Sequence, residues 1–473
     1  MLVASLLQAA VWQVGPAKTY TFCCKVAALV KDGDTVLIDA ATYLDDEQVT
    51  WTANRLLIRG VGGRPVLIAG AKLENNVSNG KGIFVIKGNQ TTVENIDFRN
   101  AKVPSRNGAG IRQEGLDLLV RYCRFAGNEM GILAGGSIPG CTIVIEFSEF
   151  LNGGSPANPG YQHNIYINHL DTFIFRYNCS YDAIAEGHEL KSRADHTFIL
   201  YNRISNFNSA DSRNVDIPNG GTAVLMGNVF EQGPNSVNTN MVAYGLEGFS
   251  NPGPHNLFVV NNTFVNRNSK GVFVQVASPG TDTFFVKNNI FAGPKTGGLL
   301  LGVPAMLDSS NNIISDALTA PGFIAQTSGN YRLSSGSPAI NTGALIMRAA
   351  KGLRLIPEWE YADTCTRSVR TISGIPDIGA YEFFGSSGLS KASGSDFSFK
   401  LWPNPSGGEI FLTGIPEGIS RLSITRIDGS AILDETVHAG KQDSLRYRGL
   451  LPGLYLIRLS GTYGSCVQRL SVY

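Results

Sequence analysis

A constant offset of 25 residues constrains this chain more than any other feature. Three segments share it: His163-Asn164-Ile165-Tyr166-Ile167, His188-Glu189-Leu190-Lys191-Ser192 and Arg213-Asn214-Val215-Asp216-Ile217. Apolar Ile165, Leu190 and Val215 alternate with polar neighbours, the period of a strand with one buried face. A strand repeated at a fixed interval predicts a solenoid whose repeats stack about 4.8 Å apart. Tyr166, Lys191 and Asp216 are then expected side by side on the outer face. Asn164, Glu189 and Asn214 are expected in a row beside them, with His163, His188 and Arg213 at the strand entries.

The same framework recurs along the chain. Val93 to Phe98, Val120 to Phe125, Ile145 to Phe150, Phe175 to Ser180, Leu200 to Ile204, Met226 to Phe230, Val260 to Phe264, Lys287 to Phe291 and Asn311 to Ile314 are variants of one unit. Their ends lie 27, 25, 30, 24, 26, 34, 27 and 23 residues apart, the length of a β-helix coil and short of a propeller blade. Asn178, Asn202, Asn228, Asn262, Asn289 and Asn312 occupy matching positions and predict an asparagine ladder at a turn, with left-handed backbone tolerated there. Phe98, Phe125, Phe150, Phe230, Phe264 and Phe291 predict an internal aromatic stack. These columns are core and turn, because stacking repeats need them. The fold class expected is all-β: a right-handed parallel β-helix over residues 14–384, a linker over 385–396 and a β-sandwich over 397–473.

Composition excludes several functions. Among 473 residues the net charge is +1 and only 16% are charged, so no basic excess exists to meet phosphates and nucleic acid is not an expected partner. With 43% hydrophobic residues the chain is not of disordered type. No stretch approaches the ~20 apolar residues of a membrane span. Residues 1–13 open on an apolar run ending in small residues, MLVASLLQAA, which reads as the remnant of a secretory signal without its basic region. The seven cysteines are odd in number and lack metal-type spacing, so they are expected as small buried hydrophobes without a disulfide framework. A monomer is expected.

Val14 to Tyr43, with a helix expected over 22–30, resembles the N-terminal cap of secreted right-handed parallel β-helix proteins of the pectate lyase-like superfamily; an amphipathic plug covers the open end of the first coil. Pro321 to Gly343 and Pro376 to Phe383 resemble the closing segment of such proteins. From Phe397 onward, Pro403-Asn404-Pro405, Asp428-Gly429, Gly453-Leu454-Tyr455 and Arg469-Leu470-Ser471-Val472 resemble the C-terminal sorting domain of type IX secretion in Bacteroidetes, Arg469 standing where that family usually has lysine. The resemblance implies passage through the periplasm, engagement of the type IX machinery, and secretion or attachment at the cell surface.

Gly187-His188-Glu189-Leu190-Lys191-Ser192-Arg193, followed by Tyr201-Asn202, resembles the Lys-Ser motif of chondroitinase B-like and alginate lyases. In that family the next coil carries Arg-His-Gly; here the arginine is shifted to Arg213 and the motif is absent. The likeness implies β-elimination at an acidic, uronate-containing polysaccharide. That chemistry requires a cation to neutralise the carboxylate, a base for the proton beside it and an acid for the leaving oxygen. Arg213 and Arg193 fit the first role, and Lys191, His188 or Tyr166 the second. Lys191 beside Asp216 or Glu189 suits the cation equally. The catalytic candidates are Lys191, Arg213, His188 and Tyr166; His163, Glu189, Arg193, Asp216 and Glu247 are the substrate-binding candidates. Two other readings stay open: a glycan-binding adhesin without catalysis, and an inverting hydrolase using Glu189 and Asp216 about 8 Å apart. Calcium is a candidate cofactor, with Glu186, Glu189, Asp211, Asp216 and Glu247 as oxygen donors.

Overall fold

The computed structural model describes residues 9–295, 300–372, 374–383, 399–404, 406–415, 419–426, 430–437, 444–461 and 464–472. The expected linker over 385–396 lies outside them. Two compact units divide the chain, Met1–Phe383 and Phe384–Tyr473.

The first unit is a parallel β-helix of three sheets. The first sheet has 12 strands, from Val11–Val14 to Met306–Ser310; the second has 10, from Val49–Trp51 to Leu300–Leu301; the third has 11, from Thr42–Leu44 to Ile313–Ser315. Each coil contributes one strand to each sheet, as in Ile165–Ile167, Leu170–Arg176 and Cys179–Tyr181. Every neighbour pairs in parallel, so side-chain direction is inherited from coil to coil. Val11–Val14, most of it assigned to the signal remnant, is instead the first strand and pairs with Thr35–Asp39. The expected cap helix shrinks to one turn, Cys24–Ala27, whose Val26 and Ala27 join the core beside Val30 and Trp51.

The internal columns form in register. Phe98, Phe125 and Phe150 stack with ring centroids 5.1 and 4.7 Å apart, and Phe230, Phe264 and Phe291 with spacings of 4.7 and 4.9 Å. Ser180 and Ile204 interrupt the column between the two stacks.

The asparagine ladder runs unbroken between the first and third sheets. Each side-chain oxygen accepts from the backbone N–H of the preceding asparagine at 2.8–2.9 Å and from its amide at 2.9–3.3 Å. The left-handed residue is one position earlier than expected, at Tyr177, Tyr201, Gly227, Asn261, Asn288 and Asn311. The ladder amides themselves turn inward and donate to backbone carbonyls, as Asn202 does to Phe175 and Asn228 to Ile199.

Residues 321–383 do more than close the end. They fold back along the outside of the coils. Ile346, Ala350, Leu355 and Trp359 cover the outer face of the first sheet, packing on Tyr177, Tyr201, Val224 and Phe258. Phe323, Tyr331, Ile378 and Ala380 cover the third sheet over Val229, Val265 and Ile290. A disulfide, Cys179–Cys365, ties this strap to the coils, which corrects the expectation of unpaired cysteines. The partners lie 186 residues apart, so spacing along the chain carried no sign of them. Among the described residues no strap side chain joins the apolar cluster on the outer face of the second sheet, Ala109, Met130, Leu133 and Tyr166.

The second unit is a β-sandwich. One sheet holds Lys400–Trp402, Glu409–Thr413 and Ser444–Arg448; the other holds Ala431–Thr436, Ile419–Arg426, Gly453–Gly461 and Gly464–Val472. Ile410, Leu412, Leu422, Ile424, Tyr455 and Ile457 fill the space between them.

The ladder generates a stability prediction. Asn228→Ala removes the acceptor for both donors of Asn202 and the donor that meets the carbonyl of Ile199 at 2.7 Å. Each stranded buried group costs about 1–3 kcal/mol, so a loss of at least about 3 kcal/mol is expected. Asn312→Ala, at the ladder's half-buried end, should cost less. Urea unfolding of the two variants checks this, and equal losses would refute it.

Candidate functional site

The outward column of the second sheet reads Arg112, Leu133, Tyr166, Lys191, Asp216, Ala243 and Gln275 in consecutive coils. Ile165, Leu190 and Val215 point into the core, fully buried. This is the arrangement the 25-residue offset predicts. Loops leaving the strands at 218–221 and 245–251 wall one side and supply Asn219 and Glu247.

Lys191 is the centre. Its Nζ lies 3.0 Å from Asp216 Oδ2 and donates to Glu247 Oε1 at 2.7 Å. Arg193 donates to the other oxygen of Glu247 at 2.6 Å, to Tyr166 Oη at 3.0 Å and to Asn219. Arg213 NH1 stands 3.7 Å from Asp216 Oδ1, while its Nε donates to Asn240, which in turn donates to Gln275. His188 Nε2 is 3.5 Å from Asp216 Oδ2. His163 stacks on His188 with centroids 4.7 Å apart and accepts the His188 backbone N–H at Nδ1. Its ring meets that of Tyr166 edge-on at 5.5 Å.

Burial drives both imidazoles well below the ordinary value of 6.5, and the neighbouring cations push the same way. They are neutral. Burial opposes the charge on Glu247, but hydrogen bonds from Lys191 and Arg193 outweigh it and hold the carboxyl below its ordinary range. With Lys191, Arg193 and Arg213 against Asp216 and Glu247, the patch carries one more positive charge than negative. It suits an anionic ligand.

Glu189 is not on this face. Its side chain turns into the coil interior, fully buried, and accepts from Ser180 Oγ at 2.7 Å, Ala183 N at 2.7 Å and Asn164 at 2.6 Å. Asn164 and Asn214 turn inward as well, the latter meeting the carbonyls of Ile204 and Glu231. The residue before each strand belongs to a turn, so the turn sets its direction and the pleat does not. Ser180 in place of phenylalanine makes room for the Glu189 carboxyl. Glu189 and Asp216 therefore face different sides of the sheet and do not flank one bond, which removes the inverting-hydrolase geometry.

The five carboxylates considered for calcium do not converge. Glu189 and Asp211 are buried inside the coil, Asp216 and Glu247 lie on the outer face, and Glu186 sits in an exposed turn. Among the described residues no group of three or more histidine, cysteine or carboxylate side chains is set to hold a metal ion. Asn219, Asn240 and Gln275 join the network without having been anticipated; Asn219 falls in the Asp216-Ile217-Pro218-Asn219-Gly220-Gly221 turn, whose glycines were its one visible signal. His169 pairs with Asp195 at 3.1 Å and joins none of these contacts.

Fold and tail together define a class: a β-helix protein carrying a secretion tag. Residues 400–473 match the secretion system C-terminal sorting domain family. The chain is secreted by the type IX route, to be released or held at the cell surface. Among the described residues no helix is long and apolar enough to cross a membrane. The chain is similar in structure to the pectate lyase Pel9A, with a TM-score of 0.54, 15% identity, and coverage of 79% of this chain and 96% of that one. It also aligns with the pectin methylesterase of Aspergillus niger, with a TM-score of 0.33, 9% identity and coverage of 64% and 85%, and with PemA of Erwinia chrysanthemi, at 0.32, 10%, and 68% and 97%. At these identities the likeness is one of fold. No curated protein sequence matches the chain.

The buried carboxyls predict a pH effect. Burial pushes Asp211 up to about 7, and burial with the nearby Asp211 raises Glu189 well above its ordinary value. In the unfolded chain Asp211 ionises near 3.8. Its contribution to stability is thus fully present below that value and is lost as pH rises through about 7. Asp211→Asn, which cannot ionise, should gain in melting temperature relative to the parent chain between about pH 4 and pH 8. The histidines, depressed in the fold, act in the opposite direction, but they are common to both proteins and cancel. A constant difference across that range would contradict the assignment.

Proposed function

We propose that the protein is a secreted polysaccharide lyase that cleaves an acidic, uronate-containing chain by β-elimination. One observation carries the reading. Three cations and a phenol, on consecutive coils, share the outer face of the second sheet. A sheet face that offers one side-chain row per coil suits a linear polymer, and the net positive patch suits a uronate.

Lys191 and Arg213 neutralise the sugar carboxylate, Arg213 with the guanidinium edge not committed to Asn240. Lys191 serves as the cation, not the base, because Asp216 and Glu247 both hold its ammonium. Tyr166 moves the proton. Arg193 donates to its oxygen, and a cation there stabilises the phenolate that removes the proton beside the carboxylate. The electron pair forms the new carbon–carbon double bond, the bond to the β oxygen breaks, and the phenol returns its proton to that oxygen. His188 stays neutral and positions Asp216 beneath Lys191.

A binder without catalysis is the second reading, favoured by one feature. Lys191 is only 8% exposed and already paired twice, as in a rigid recognition surface.

Tyr166→Phe should lower kcat by about 10²–10⁴-fold on the substrate polymer, the usual share of one proton-transfer group. Arg213→Ala should raise KM and lower kcat together, with folding intact by circular dichroism. The assay is ultraviolet absorbance of unsaturated uronate across pectate, alginate and glycosaminoglycans, with and without calcium. Saturable binding without new product would establish the binder. New reducing ends without that absorbance would exclude elimination.

A further inference from the structure

A second cleft lies on the third-sheet side of the helix, away from the Lys191 patch. Its volume is about 760 Å³, within the roughly 300–1,000 Å³ of ligand sites. One wall is built by the loops that leave the third-sheet strands of five successive coils, at Phe207, Pro234, Arg267, Pro294 and Leu318. The opposite wall is the turn of the strap at Thr327–Gly329. Because the coils stack about 4.8 Å apart, five of them make an axial groove roughly 19 Å long. It is shaped for an extended chain.

A buried charge holds the groove open. Glu231, 2% exposed, takes Arg267 at 2.6 Å and Arg203 at 3.3 Å. Both arginines reach across to the strap, Arg267 donating to the carbonyl of Gln326 and to Tyr331 Oη, and Arg203 to the carbonyl of Gly329. Asp316 at the rim is paired with Lys295. Two guanidiniums thus share the one carboxylate of Glu231, and both spend further donors on the strap. Phe207 is 39% exposed, tilted against Tyr181 with centroids 5.6 Å apart.

We infer that this groove binds a neutral, extended oligosaccharide. Guanidiniums turned to Glu231 and to the strap's acceptors are held away from a uronate, whereas the exposed part of the Phe207 ring, with proline and leucine walls, offers apolar surface to uncharged pyranoses. Asn208 and Thr327 lie within reach of sugar hydroxyls. A peptide fits less well. The strands run across the groove and their backbone groups are spent on neighbouring coils, so no sheet edge is open for an added strand. The groove then grips uncharged stretches of a polysaccharide independently of the face that carries Lys191.

Isothermal titration of the full chain with cellotetraose, xylotetraose and β-galactotetraose tests the inference, with tetragalacturonate and an extended Phe-containing tetrapeptide as comparators. At least one neutral tetrasaccharide should bind, and Phe207→Ala should weaken it by about tenfold or more. Thr327→Trp, which fills the groove from the strap side without touching Phe207, should abolish it. Lys191→Ala should leave it unchanged, which separates this site from the proposed lyase site. Absence of binding by all three neutral sugars would overturn the inference. So would tighter binding of the uronate or the peptide at this groove, or insensitivity to both groove variants.

Discussion

The structure depends on a buried amide that bonds to the coil above and the coil below. From Asn202 to Asn289 each asparagine of the ladder is fully buried, accepts two hydrogen bonds from the asparagine before it and donates to the one after it. An amide left unpaired there would cost about as much as a lost core contact. The ladder therefore holds each coil in one register, and with it the direction of every side chain on the three sheets. Tyr166, Lys191 and Asp216 stand in a row because the turns on the far side of the coil cannot slip.

Charge on the site face is organised by the same stacking. Apart from Arg213 with Asp216, the pairs cross from coil to coil: Lys191 looks to Asp216 on the next coil and to Glu247 from the loop beyond, and Arg193 spans from Tyr166 to Glu247. Such a network, half shielded by loops, costs little to maintain once the coils are set, since its members are held before a ligand arrives. The neutral imidazoles complete it by burial, not by pairing.

Much of this was legible in the sequence, for a physical reason. A repeat with a two-residue alternation states which side chains face in, so the core columns, the ladder and the Tyr166-Lys191-Asp216 row could be read directly. Reading failed where the chain leaves the strand. Glu189 follows the alternation on paper, yet it belongs to a turn and bonds inward to Ser180 and Ala183. The substitution of Ser180 for phenylalanine in the internal column was the available sign that something polar enters there. Contacts made by the strap were illegible for another reason: Cys365, Trp359 and Arg367 meet coils nearly two hundred positions away, and no periodicity connects them.

The strap has a consequence for how the helix comes apart. A bare solenoid is a one-dimensional stack in which each coil answers only to its neighbours and unravelling can start at either end. Here Arg367 lies over Phe147 and Tyr177, Glu358 bonds Tyr201, Ala380 bonds Thr263, and Ala344 exchanges hydrogen bonds with Asn288. Coils from Phe147 to Asn288 are thereby joined through a shared element as well as through one another. They form a single cooperative block that melts as one, whereas the coils before Phe147 keep the freedom to fray singly. The Lys191 patch lies inside the block, and the third-sheet groove runs past its end to Leu318.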